Sequence, residues 1–394
     1  MKRNLPLIKK NEERYFLAVD IGTETVKAII FKRKNEEMTV IGSSFQSLER
    51  LELKDNINFW VNLTKKAILK SIEEVKEKIP KKKKITVLLK LPANILKANL
   101  FFHSFIRSNP KIEIQAKEEK KIYQEILNGA QREISNIFFR SYGILPKDLE
   151  FINLEILGIK IDGYEVSHLQ GFKGQNLNFK IMAIFSLKYY LELFKKIFEN
   201  INLENLKIVH PVQNLKAAFS NNISDGIFLD VGGDLTQIFI IKEGELSYIS
   251  DFAIGGRTFA QSLSQDLGIS EKMAEKLKEK YSQKILSEET RQKIKKILDN
   301  TLKDWFLKLK SKLKEAKQFP LPSNFYFFGG GSNLPDIKEI IEEGDWEEFV
   351  FLQNPKVNLI SLKDFKNIED KTNTLNNPQA ISSVLICYAP LEIK

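Results

Sequence analysis

The sequence has little of what disulfide bonds and metal centres require. It contains one cysteine, Cys387, and three histidines, His103, His168 and His210, among 394 residues. One cysteine excludes an intramolecular disulfide, and the histidines lie far apart without acidic or thiol neighbours at the spacing of metal ligands. The sequence therefore shows no zinc-type site.

Long apolar runs are missing as well. No segment approaches the ~18 consecutive apolar residues of a transmembrane helix. The N-terminal stretch MKRNLPLIKKNEER lacks the apolar core of a signal peptide, so we expect a cytoplasmic protein. Its composition, 43% hydrophobic and 28% charged residues, is typical of folded proteins, and its length predicts at least two domains.

The net charge of +10 raises the question of an anionic partner. Lysine and glutamate alternate along most helical stretches, which is typical of solvated helix faces. The densest basic run, Lys81 to Lys84, follows Pro80 and precedes a strand, so we interpret it as a solvated connection. We expect no nucleic-acid partner.

Two stretches of the sequence share one pattern. Residues 14–32, RYFLAVDIGTETVKAIIFK, run from an apolar strand through Asp20 and Gly22 into a second apolar strand, and EEMTVIGSSF follows as a third. Residues 226–254, GIFLDVGGDLTQIFIIKEGELSYISDFAI, repeat this order around Asp230. Such an internal duplication predicts two similar domains that face each other.

Glycine loops in three places are suited to bind a nucleotide. A tight turn with little side-chain bulk lets backbone N–H groups approach phosphate, and carboxylates at the strand ends can hold the waters of Mg²⁺. A third element, NFYFFGGGSNLPDIKEII, allows close approach to a flat ligand. Taken singly, the first two loops also fit ordinary hairpin turns, and the third also fits a strand-to-helix connection.

In this order the three elements resemble the actin and heat-shock-chaperone ATPase superfamily, and within it the bacterial cell-division FtsA family. The resemblance spans roughly residues 15–390 and is carried by DIGTETVKAIIF, GYEVSHLQGFKGQNLNFKIMAI, FAIGGRTFAQSLSQDLGI, SEKMAEKLKEKYS and FGGGSNLP. It implies an α/β fold of two actin-like (ribonuclease H-like) domains, with a nucleotide cleft between them and a small α+β insert in the first.

The resemblance also implies domain boundaries. It divides the chain into a basic N-terminal arm (1–14), a first actin-like domain (15–92 and 187–222, with a C-terminal helix in 376–392), a strand-helix-strand-strand insert (93–186) and a second actin-like domain (223–375) with a helical subdomain at about 257–320.

ATP and Mg²⁺ are the implied cofactors. The residues that the resemblance assigns to the nucleotide are Asp20, Gly22, Thr23, Lys27, Gly232, Gly233, Thr236, Glu275, Lys278, Gly329, Gly330, Gly331 and Ser332. Asp20 and Asp230 would act through the metal, which they would hold through water. For Glu275 and Lys278, which lie three apart on a helix, the alternative is an ordinary solvated ion pair.

Three departures from the family pattern bear on chemistry. Asp234 follows the second glycine pair, where a carboxylate meets phosphate unfavourably unless it turns away or is screened. Gln237 replaces an acidic residue that often helps the metal, and His210 stands where the family has a glutamate before proline. Gln213 is a weak substitute. ATP binding is therefore better supported than hydrolysis, and we expect at most a slow ATPase.

The family resemblance implies a scaffold that links the tubulin-like FtsZ to other division proteins and polymerises through its insert. It places the protein at the cytoplasmic face of the inner membrane at the division site. Peripheral membrane contact is also implied, with one departure: the family usually continues into a C-terminal amphipathic helix, whereas the printed sequence stops at LICYAPLEIK.

Three alternatives stay open. The first is a pilus-assembly adaptor of the PilM type. The second is a small-molecule kinase of the same superfamily, which needs a general base beside its acceptor hydroxyl. No convincing aspartate for that role lies between the two phosphate loops. The third is a structural relative that binds no nucleotide, which Asp234 and Gln237 suggest.

Overall fold

The computed structural model describes residues 13–48, 57–78, 85–199, 203–220, 223 and 225–390. The chain divides into two compact units, a larger one of Met1–Ala93 and Ile201–Lys394 and a smaller one of Asn94–Asn200. Most of the predicted basic arm and the whole run from Lys81 to Lys84 lie outside the described residues.

The larger unit begins with the predicted three-stranded meander, which is confirmed. Its first elements are β1 (Arg14–Ile21), β2 (Thr25–Lys34), β3 (Glu37–Ser47), α1 (Ile57–Lys76) and β4 (Ile85–Lys90). The strands β1 and β2 are buried along most of their length because both faces of this sheet are covered.

The smaller unit is an antiparallel sheet with helices. Its elements are β5 (Lys97–Ile106), α2 (Ala116–Tyr142), β6 (Leu149–Ile161), β7 (Tyr164–Val166), β8 (Asn176–Leu187) and α3 (Lys188–Phe198). The sheet order is β5-β8-β6-β7, and Ile122, Ile126 and Ala130 of α2 join its apolar core. This unit ends at Asn200 and so includes α3; the domain boundaries of the sequence analysis stay predictions.

The helix α2 runs from Ala116 to Tyr142. Gly143 terminates it in the left-handed conformation, with φ of 69°, and donates its N–H to the carbonyl of Phe139. Glycine at this position is the usual helix-ending signal. Gly143 therefore marks the end of α2 in the sequence.

The rest of the larger unit repeats the opening pattern. Its elements are β9 (Leu203–Ile208), α4 (Leu215–Ala218), β10 (Gly226–Val231), β11 (Thr236–Lys242), β12 (Glu245–Phe252), α5 (Gly256–Leu267), α6 (Glu271–Ser282), α7 (Glu288–Glu315), β13 (Asn324–Phe328), α8 (Pro335–Glu343), β14 (Lys356–Leu359), β15 (Ile368–Asp370) and α9 (Ile381–Cys387). The helix α7 has an apolar face whose six members are buried: Ile294, Leu298, Leu302, Trp305, Leu309 and Leu313.

Two sheets of the larger unit follow one scheme. The first has the order β15-β3-β2-β1-β4-β9 and the second the order β12-β11-β10-β13-β14. In the first sheet β1 lies antiparallel to β2 and parallel to β4. In the second, β10 lies antiparallel to β11 and parallel to β13. The predicted duplication is confirmed; we call the first sheet with α1 and α9 the first lobe, and the second sheet with α5 to α8 the second lobe.

Candidate functional site

The two predicted phosphate loops have the same turn and lie against each other. Gly22 donates its N–H to the carbonyl of Thr25 at 2.9 Å, and Gly232 donates to Leu235 at 3.0 Å. A Cβ atom at Gly233 would lie 2.5 Å from Oγ1 of Thr23, closer than real Cβ atoms come. Only glycine fits at Gly233, and the two lobes meet at these loops.

The triple-glycine loop packs on the second phosphate loop. Gly329 has φ of 89°, and a Cβ atom there would overlap Oδ1 of Asp230 and lie 2.5 Å from the carbonyl oxygen of Val231. A Cβ atom at Gly331 would lie 2.5 Å from Cγ1 of Val231. Ser332 donates its hydroxyl to the carbonyl of Gly329 at 2.7 Å. All three glycine loops therefore converge in one unit.

Lys278 on α6 extends this convergence. Its ammonium lies 2.7 Å from Oε2 of Glu275 and donates to the carbonyl of Gly256, at the start of α5, at 2.8 Å. The Lys278 side chain is 8% exposed, and that of Glu275 is 38% exposed. The pair is therefore not an ordinary solvated ion pair, because Lys278 ties two helices together beside the glycine loops.

Asp20 is the centre of a buried charge cluster in the first lobe. Its Oδ2 accepts from Nζ of Lys27 at 3.1 Å and from the hydroxyl of Ser383 at 2.8 Å, and its Oδ1 accepts from Nζ of Lys90 at 2.8 Å. Lys27 and Lys90 lie opposite Asp20 on its two neighbouring strands. Burial raises the pKa of Asp20, but the two lysines outweigh it and hold the pKa below its usual range.

Lys90 and Ser383 were missed in the sequence analysis. Lys90 could have been identified from the sequence, because it is a charged residue at the end of the largely apolar strand ITVLLK. Burial lowers the pKa of Lys90, but the charges of Asp20 and Asp230 outweigh that effect and raise it above its ordinary value. Lys90 is therefore a buried cation whose charge acts on both predicted metal-binding carboxylates.

Asp230 occupies the equivalent position in the second lobe with different neighbours. Gln237 lies opposite it on β11 and Phe328 on β13. Burial raises the pKa of Asp230 to about 6; Lys90 acts against this shift and the charge of Asp20 adds to it. The same backbone frame therefore favours the ionised form of Asp20 and disfavours the ionised form of Asp230.

Asp234 is paired by a residue that the sequence analysis did not identify. Arg257, the second residue of α5, forms ion pairs with Asp234 of the second phosphate loop and with Glu24 of the first. The Arg257 side chain is mostly buried, and burial lowers its pKa. Arg257 therefore neutralises the carboxylate that would repel phosphate and bridges the two lobes.

Thr236 and His210 are engaged with protein atoms. The Thr236 hydroxyl donates to the carbonyl of Ile254 at 2.7 Å and accepts from Nε1 of Trp305 at 3.0 Å. His210 accepts at Nδ1 from the N–H of Val212, and its Nε2 lies 3.4 Å from the Gln237 amide nitrogen.

Gln213, the weak substitute for the missing carboxylate, also has a structural role. Its side-chain oxygen accepts from the His210 backbone N–H at 3.0 Å. With His210 and Gln237 in a buried contact, the neighbourhood of Asp230 on this side is built from neutral amides and an imidazole. That arrangement favours holding a ligand over activating water with a carboxylate base.

The described residues contain neither a cluster of metal ligands nor a membrane-spanning helix. Across the ranges from 13 to 390 that the structure describes, no three His, Cys, Asp or Glu side chains cluster as a metal centre would require. Within the same ranges, none of the helices combines the length and the apolar character needed to cross a membrane.

The sheet order and the paired glycine loops define the actin-like ATPase fold. A chain of the PilM–PilN type IV pilus biogenesis complex is similar with a TM-score of 0.66 and 14% identity, over 94% of this chain and 97% of that one. The ethanolamine utilization protein EutJ from Carboxydothermus hydrogenoformans is similar with a TM-score of 0.51 and 14% identity, over 98% of this chain and 91% of that one. The predicted fold class is confirmed.

The particular relatives are cell-division proteins. Residues 227–384 match the family model described as Cell division protein FtsA. FtsA of Streptococcus pneumoniae serotype 2 (strain D39) is 22% identical over 354 residues, which cover 84% of this chain and 74% of that protein. FtsA of Enterococcus hirae is 21% identical, covering 83% and 76%. The predicted resemblance to FtsA is confirmed, and the chain is an actin-like protein similar to FtsA over most of its length.

Proposed function

We propose that this chain is an ATP-binding, actin-like cell-division protein of the FtsA type. It acts as a scaffold that links FtsZ to other division proteins and self-associates into filaments at the cytoplasmic face of the membrane at the division site. The observation that carries the proposal is the convergence of three glycine loops between two duplicated lobes, in a chain whose residues 227–384 match the FtsA model.

In the proposed complex the phosphates lie at the two paired loops. Gly22, Thr23 and Gly233 offer backbone at close range, and Lys27 supplies positive charge beside Asp20. The adenosine lies toward Gly329 to Ser332 and the buried Lys278. His210 and Gln237, which stand where the family resemblance places acidic residues, support nucleotide binding more than hydrolysis.

Isothermal titration calorimetry tests the nucleotide part of the proposal. We expect ATP to bind with a Kd below ~1 mM, and to raise the melting temperature because a ligand of the native state stabilises that state. If ATP gives neither a binding isotherm nor a thermal shift, the protein is the structural relative that binds no nucleotide. A phosphorylated sugar or carboxylic acid after incubation with ATP would instead show a kinase.

Fluorescence anisotropy tests the partner separately. A labelled C-terminal peptide of FtsZ is expected to bind the purified chain, while a scrambled peptide of equal charge serves as the control. Binding of a PilN peptide in place of the FtsZ peptide would overturn the division role without affecting the proposed nucleotide site.

A further inference from the structure

The Asp20 carboxylate has few acceptor positions left for the waters of a divalent ion. Three donors already occupy the Asp20 carboxylate: Lys27 and Ser383 at Oδ2, and Lys90 at Oδ1. A carboxylate offers about four acceptor positions in total. The water shell of a magnesium ion needs several such positions, so Asp20 does not fit its predicted role as a carboxylate that holds the metal.

The charges give the same result. Asp20 and Asp230 are balanced by the ammonium groups of Lys27 and Lys90, and all four side chains are buried. A doubly charged cation placed among them would meet two like charges in a medium of low dielectric. Lys90 therefore already supplies, beside Asp20, the positive charge that a metal ion would bring.

We propose that Lys90 is a built-in counter-ion that takes the place of Mg²⁺, so that this cleft binds the polyphosphate of a nucleotide without a divalent cation. The proposal rests on the proposed nucleotide function. Its ligand class is a nucleoside di- or triphosphate, and its distinguishing residue is a lysine at the end of β4, in register with Asp20 on β1.

Lys90 has the position that such a role requires. The strand β4 lies next to β1 and parallel to it, so the last residue of β4 ends at the edge of the sheet from which the first phosphate loop leaves. The Lys90 side chain is 9% exposed and that of Asp20 is fully buried, and their ion pair at 2.8 Å holds the ammonium at the strand end. A lysine is a compact point charge suited to phosphate.

The test compares nucleotide affinity in Mg²⁺ and in EDTA for the full chain and for Lys90→Met, with Lys90→Gln as a second variant that keeps a polar side chain. We expect the wild-type Kd for ATP to change less than about threefold between the two buffers. Each variant should lose at least about tenfold in EDTA and regain affinity in Mg²⁺, because a lost charge-assisted contact is worth about that factor. Lys32→Gln, which removes a partly exposed lysine paired with Glu13, is the matched control.

A wild type that needs Mg²⁺, or variants with the wild-type ratio between the two buffers, would overturn the proposal. Titration with Mn²⁺ alone, followed by electron paramagnetic resonance of the free ion, decides the point without nucleotide. We expect no tight Mn²⁺ site in the wild type and one new site in the variants. Equal Mn²⁺ binding by both would also overturn the proposal. Failure of ATP binding in every buffer would refute the proposed function and the polyphosphate ligand with it, whereas ATP binding that needs Mg²⁺ would refute only the role of Lys90.

Discussion

Replacing Asp20 by asparagine tests the buried cluster most directly. The change Asp20→Asn keeps the volume of the side chain and removes its charge. Lys27 and Lys90 then lose their shared counter-ion, at 3.1 and 2.8 Å, inside the protein. Because removing one partner of a buried ion pair leaves an uncompensated charge, we expect the free energy of unfolding to fall by about 3–5 kcal/mol.

A double-mutant cycle separates this charge effect from a simple packing defect. In Asp20→Asn/Lys90→Met the unpaired ammonium of Lys90 is gone, so the double variant should lose less than the sum of the single changes. The expected coupling is about 1–3 kcal/mol. The partly exposed pair of Lys32 and Glu13, at 2.9 Å, gives a matched control, and Glu13→Gln should lower the urea midpoint much less than Asp20→Asn does.

Urea unfolding provides the measurement. It is followed by circular dichroism and by tryptophan fluorescence, in EDTA and without nucleotide, and coincident transitions check that the unfolding is two-state. The reasoning is refuted if Asp20→Asn costs less than about 1 kcal/mol, or if the effects of the Asp20 and Lys90 changes simply add.

Three further predictions follow from the same lobes. Because the pKa of Asp230 is raised to about 6 in the folded protein, protonation of Asp230 stabilises the fold at low pH, and this stabilisation is lost as the pH rises from about 4 to 6. The free energy of unfolding of Asp230→Asn should therefore rise by up to about 3 kcal/mol relative to that of the wild type over this pH range. A difference in urea midpoints that does not change with pH would contradict this prediction. Gly329→Ala should lower the free energy of unfolding by at least about 2 kcal/mol more than Gly244→Ala does. Both glycines have positive φ, but only at Gly329 would the new Cβ atom lie against a backbone carbonyl and a carboxylate. Equal urea midpoints for the two variants would refute this prediction. Trp305→Phe removes the N–H that Thr236 accepts and should cost about 1–3 kcal/mol, checked by thermal melting in which an unchanged Tm would count against the bond.

Much of the fold was predictable because its signals are local. The repeated strand-loop-strand patterns, the apolar face of α7 and the glycine loops each occupy a short window of sequence. Their order also predicted which loops converge, since the duplication relates one half of the cleft to the other.

The side chains that shape the candidate site were harder to predict because their partners are distant in sequence. Lys90 is 70 residues from Asp20, Arg257 is 233 residues from Glu24, and Ser383 is 363 residues from Asp20. No periodicity links such positions. The pairing of Asp234 likewise depends on the start of α5 lying beside the second phosphate loop, which only the three-dimensional structure supplies.

The shared register of the two lobes gives the cleft a polarity. At the position opposite the strand-end aspartate, the first lobe has Lys27 and the second has Gln237; on the parallel neighbour, the first has Lys90 and the second has Phe328. At these two matched positions the first lobe therefore has two cationic side chains and the second lobe has two uncharged ones. An engineered Gln237→Lys would place a lysine at this position in both lobes. The difference in charge that orients an anionic ligand between the two lobes would then be smaller.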